Sequence, residues 1–121
     1  MKKLHLKLSK SLIDKIEEAG FSVYECEDGD IEFGKYTDVG QDFRFTIDAV
    51  DSLDELCEEI RQYYLDYDVS QEAFYWLDDS GHGKNGAPYE MVDVYKDMQQ
   101  CEEFINELNE IVWDFYIETV V

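Results

Sequence analysis

Gly81-His82-Gly83-Lys84-Asn85-Gly86 is the stretch whose residue types come nearest to carrying chemistry. Glycines beside a lysine can wrap a phosphate, but a P-loop requires Ser or Thr directly after the Gly-Lys pair and a strand before the loop. Here Asn85 follows Lys84, and the preceding segment reads as helix. A calcium loop counted from Asp78 finds Ser80, His82 and Gly83 near the early ligand positions, yet Tyr89 stands where the closing bidentate acid belongs. Asp79 and His82 are spaced closely enough to share a metal, but no second histidine follows on a helix face. The other histidine, His5, falls on the polar side of an N-terminal segment. Cys26, Cys57 and Cys101 are spread one per element, so neither zinc ligation nor cysteine–histidine catalysis finds its partners. The loop reads instead as a tight interhelical connection whose glycines supply positive φ angles. No catalytic residue, metal or cofactor is expected, and the chain does not read as an enzyme.

What remains as chemistry is carboxylate. The 121 residues hold 30 acids against 10 bases, a net charge of −20, far beyond the roughly 2–8 units usual for a small soluble domain. The charge is unevenly placed. Residues 1–15 carry Lys2, Lys3, Lys7, Lys10 and Lys15 against Asp14, a net of +4, and the other 106 residues carry −24. Such a body repels phosphates, which argues against direct contact with nucleic acid or with an anionic membrane. No run is apolar and long enough to span a bilayer, and Met1 to Lys7 lacks the apolar stretch of a secretory peptide. The odd number of cysteines points to a reduced, cytoplasmic protein without disulfides.

The elements that must carry these groups are legible from periodicity. From Met91, apolar residues recur at Val94, Met98, Cys101, Ile105, Leu108, Val112 and Phe115, in steps of three and four that put them on one helix face. Phe104 and Ile111 widen that face to core-facing breadth. Upstream, Leu4, Leu6 and Leu8 alternate as in a half-buried strand. A short helix capped by Ser9 or Ser11 follows and stops at Gly20. Phe21 to Glu27 and Asp30 to Tyr36 flank Asp28-Gly29, a strong hairpin signal, and Phe43, Phe45 and Ile47 alternate as a third strand. Ser52 to Glu55 is a capping box opening a helix that buries Leu53, Leu56, Cys57 and Ile60. Ser70 is the expected start of a shorter helix, Gln71 to Leu77. The expected fold is α+β in a single domain, 1–121: a small antiparallel β-meander packed against about four helices, with a long C-terminal helix.

On that helix the exposed faces oppose its own stability. Glu103–Glu107, Glu107–Glu110, Glu110–Asp114 and Asp114–Glu118 are like-charge neighbours one turn apart. With Glu90–Asp93 and Asp93–Asp97 they cost on the order of 1–3 kcal/mol, and the last acids also oppose the helix dipole. Carboxylates about 5 Å apart along a helix rising ~1.5 Å per residue can stand in for the phosphates of a nucleic-acid strand. Solubility alone would explain the sign of the charge but not the aromatic content. Tyr and Trp anchors set among acids suit an interface with a basic protein.

In size, charge and aromatic content the whole chain resembles the small acidic inhibitors of phages and mobile elements, the anti-CRISPR and antirestriction DNA mimics. The resemblance implies an inhibitor that blocks the basic channel of a nuclease or similar nucleic-acid-binding enzyme. The alternative is an acidic adaptor that binds a basic partner without mimicry, including assembly as a homo-oligomer through its helices. Either way, the residues expected to meet the partner are Asp54, Glu55, Glu58, Glu59, Asp66, Asp68, Glu103, Glu107, Glu110 and Asp114, with Tyr63, Tyr67 and Trp113 as aromatic anchors.

Overall fold

The computed structural model describes residues 5–120, apart from the side chain of Val120. Its elements run α1 (Lys10–Glu18), β1 (Ser22–Glu25), β2 (Ile31–Tyr36), β3 (Asp42–Ile47), α2 (Leu53–Asp66), α3 (Val69–Tyr75) and α4 (Met91–Val120). The fold is α+β: four helices and a three-stranded antiparallel sheet in the order β1-β2-β3.

Strand alternation decides which sheet face is covered. Ile31 lies opposite Ile47, and Phe33 opposite Phe45. All four are buried, because successive side chains of a strand point to opposite faces. The other face stays open to water, and there Arg44 bridges Glu32 at 2.8 Å and Asp42 at 2.9 Å.

The stripe on α4 serves two clusters. Phe104, Ile105, Leu108 and Val112 join the covered sheet face, Leu12 and Ile16 of α1, and Leu56, Cys57 and Ile60 of α2. Nearer the helix start, Val94, Met98 and Cys101 enclose Ala73 of α3. Met91, the first residue of the periodic stripe, is 45% exposed.

Three local expectations are corrected. Residues 5–9 are not a strand, and Leu4 lies outside the described residues. This segment crosses one end of the sheet: the Leu6 amide donates to the Val50 carbonyl at 2.7 Å, and the Leu8 amide donates to the Glu25 carboxylate at 3.2 Å. A side chain therefore takes the bond a neighbouring strand would have used. The hairpin turns on three residues, Glu27 to Gly29, with Cys26 and Asp30 as the closing pair (2.8 Å). A two-residue turn of the type Asp-Gly favours needs positive φ at both positions, but only Gly29 has it (φ 96°). The ring of His5 packs against Gly29, where a Cβ would approach it to 2.6 Å. Finally, α3 is capped by Asp68, which accepts the Gln71 amide at 3.2 Å, so Ser70 lies inside the helix.

Ile105 is fully buried where α4 meets the main core. Truncation to Ala is expected to lower unfolding free energy by about 2–5 kcal/mol, whereas Val92→Ala, on an exposed face, should stay within about 0.5 kcal/mol. Urea titration of both variants checks the contrast.

Candidate functional site

The expected partner-binding residues do not form one patch. Asp54 and Glu58 line a groove between α2 and α4, together with Arg61, Asn109 and Trp113. Trp113 is 47% exposed there, and its ring lies 5.6 Å from that of Tyr116. Glu59, Asp66 and Tyr63 line a second hollow on the other flank of α2, against Thr46 and Asp48 of the sheet edge. Glu103, Glu107, Glu110 and Asp114 run along the side of α4 turned away from its buried stripe, where helix spacing of three and four residues keeps them in line.

Several of these groups already have structural partners. The Glu55 amide donates to the Ser52 hydroxyl at 3.4 Å, as the capping box requires, but its carboxylate accepts the Asp51 amide at 3.3 Å and not that of Ser52, one residue further back than expected. Asp68 is the α3 cap. Asp66 accepts from the Gln62 side-chain amide at 3.0 Å, and Glu110 from that of Asn106 at 3.3 Å. Glu107 is paired with Lys35 at 2.8 Å, and that ammonium lies 4.8 Å from the ring centres of both Phe21 and Phe104. This is the one row carboxylate in an ion pair among the described residues.

Tyr63 and Tyr67 are half-buried and spend much of their ring surface on the core. Tyr63 stacks on Phe45 at 4.7 Å. Tyr67 meets Phe43 edge-on at 6.1 Å, and its hydroxyl lies 3.7 Å from the Met98 sulfur. Burial pushes both phenols above their ordinary pKa, with the Glu72 carboxylate adding to the effect. Their remaining surface lines a third hollow with Trp76 and Glu72. More exposed aromatic surface is found on α3, where Phe74 is 72% exposed and Tyr75 follows it.

The glycine-rich loop is a well-bonded connection. Gly83 donates to the Tyr89 carbonyl at 2.9 Å and Lys84 to the Trp76 carbonyl at 2.8 Å. The Asp78 carboxylate takes the Ser80 hydroxyl at 2.6 Å and the His82 amide at 3.1 Å, and the Ser80 bond above all lowers its pKa. The His82 ring stacks on Tyr89 at 4.1 Å. A Cβ on Gly83 would collide with the Pro88 carbonyl, so the tight crossing of the two chain segments requires glycine there. Among the described residues no three His, Cys, Asp or Glu side chains are placed to hold a metal ion, and no helix is long and apolar enough to cross a membrane. Cys26, Cys57 and Cys101 are free thiols. Burial pushes the Cys101 thiol up to about 12, with the nearby Asp97 charge adding to it.

One acid is not where periodicity among polar residues puts it. Asp97 is only 4% exposed. The nearby Thr37 side chain favours the charged carboxylate, yet burial dominates and raises the pKa, while Oδ1 has no hydrogen-bond partner in the protein. A signal existed: Asp97, Phe104 and Ile111 recur at steps of seven, so Asp97 shares the flank on which those two apolar residues widen the core face.

The sign of its effect on stability follows. Above the ordinary aspartate range the unfolded chain holds this group ionised, while the folded chain disfavours its charge; stability therefore falls as pH rises through that range toward the raised value. Asp97→Asn removes the charge while keeping a buried polar amide, so it should raise stability at pH 7, and the gain should vanish near pH 3. Thermal melts across pH, with Asp114→Asn as the exposed-side control, read this directly.

Comparison with known protein families, curated proteins and solved structures finds no match to this chain.

Proposed function

We propose that this chain is an acidic inhibitor that stands in for nucleic acid and occupies the basic channel of a DNA- or RNA-binding enzyme, such as a CRISPR or restriction nuclease. The observation that carries the reading is the row Glu103, Glu107, Glu110 and Asp114 along α4, of which only Glu107 is in an ion pair, with Lys35, among the described residues. A row of like charges weakens the helix that carries it. Its benefit lies in the long-range field it presents to a lysine- and arginine-lined partner, where complementary charge speeds encounter and fixes register. The acids of α2 flank the Trp113 groove and add to the field. The protein acts in this reading by binding, without catalysis and without a cofactor.

A second reading is an adaptor that binds a basic protein with no mimicry. It is favoured by the exposed aromatic surface of Phe74 and Tyr75 on α3 and of Trp76 just after it, which lies outside the carboxylate row and suits apolar contact. Competition separates the two. A nucleic-acid-binding enzyme captured from a bacterial lysate should no longer be retained once preloaded with DNA or guide RNA; retention of the loaded enzyme favours the adaptor.

Replacing Glu103, Glu110 and Asp114 together with Gln should weaken binding to the captured enzyme by at least about tenfold at low salt, and flatten the loss of affinity as salt rises. Urea unfolding of the same variant should show stability unchanged or raised by up to ~1 kcal/mol. Unchanged affinity in a folded variant would remove the row from the interface.

A further inference from the structure

Asp97 forms part of a hollow of about 360 Å³ between α4 and the turn that joins β2 to β3. Three more acids, Asp38, Asp93 and Glu103, stand around it, and Lys96 is its only base. Two features set the place apart from an acidic cluster on a surface. Asp97 is more than nine-tenths buried, and its Oδ1 has no hydrogen-bond donor from the protein. The turn above it is also built rather than loose: the Thr37 amide donates to the Gln41 carbonyl at 2.9 Å, the Gln41 amide to the Thr37 hydroxyl at 3.0 Å, and the Asp38 amide to the Gln100 side chain at 2.8 Å.

A buried carboxylate with an unpaired oxygen is costly in the free protein, and a cationic donor brought to it relieves that cost. A bare metal ion does not suit the geometry, because no three of the described acids converge closely enough to share one. A guanidinium does suit it. Its five donors are spread over a planar fork, it sheds water more readily than an ammonium, and its long stem can lie on apolar surface. Val39, 58% exposed at the same hollow, offers that surface.

We propose that this hollow is the socket for one arginine side chain of the basic partner, with the Asp97 carboxylate at its floor and Asp38, Asp93 and Glu103 around its mouth. The proposal rests on the reading of the chain as a binder of basic protein and names the point at which that partner is gripped. It makes Asp97 a binding residue and Lys96 the chain's own competitor for the site.

The test uses the intact chain and a small probe, Nα-acetyl-arginine amide, followed by NMR of labelled protein. The citrulline counterpart serves as the uncharged isostere. The expected result is a saturable shift of the Asp97 carboxylate carbon and of the Thr37, Val39 and Gln100 amides with the arginine probe. The affinity should drop at least tenfold for the citrulline probe and for Asp97→Asn, and rise for Lys96→Gln. In the wild-type chain the probe should also lower the pH at which the Asp97 carbon titrates, a readout that needs no variant. Shifts confined to Glu107, Glu110 and Asp114, or no saturable shift, would overturn the socket. An acetyl-lysine-amide probe (free side-chain ammonium) that binds equally well would overturn the choice of guanidinium. Failure of the inhibitor reading looks different: the arginine probe still seats at Asp97 while no nucleic-acid-binding enzyme is retained.

Discussion

Burial of the apolar stripe of α4 is the constraint to which the other elements answer. One helix supplies a wall to the sheet, to α1 and α2 through Phe104, Ile105, Leu108 and Val112, and to α3 through Val94, Met98 and Cys101. The meander cannot shield Phe33 and Phe45 alone, because a three-stranded sheet leaves one face bare until a helix covers it. The helix, in turn, carries so many like charges on its outer side that intrinsic propensity cannot hold it together; tertiary packing must. Core and charge are thus coupled: the apolar face supplies the stability that the acidic face removes.

That coupling also explains the placement of the few bases. Lys35 extends from the covered side of β2 over the Phe21 and Phe104 rings to reach Glu107, with its alkyl stem on apolar surface and its charge at the edge. Arg44 is fully engaged on the open sheet face by Glu32 and Asp42. Lys35 and Arg44 thus join elements, and among the described residues only Glu107 of the outer α4 row is paired with a base.

The parts of the fold that periodicity describes were legible in the sequence: the α4 stripe, the alternation of Phe43, Phe45 and Ile47, and the Ser52 cap. The parts that depend on a single distant hydrogen bond were not. Leu6 and Leu8 alternate like a strand, and only the Glu25 carboxylate and the Val50 carbonyl determine that the segment crosses the sheet instead of extending it. The choice between Asp68 and Ser70 as the cap of α3 turned on which side chain reaches Gln71. Within the candidate site, exposure of the α4 row followed from helix spacing, but the separation of the α2 acids onto two flanks needed the packing of α2 against both α4 and β3. The burial of Asp97 needed the Thr37 turn, which nothing local announces.

The order of elements along the chain gives α4 one further consequence. It follows every element that it covers. During synthesis the meander and α2 therefore leave the ribosome with their apolar faces uncovered, and the hydrophobic core cannot close until Ile105 to Val112 have emerged. Over that interval dispersal of the nascent chain falls to the acids already made, from Asp14 to Asp79. The acids of the earlier elements thus act as a temporary guard against self-association before the charge of α4 has been made.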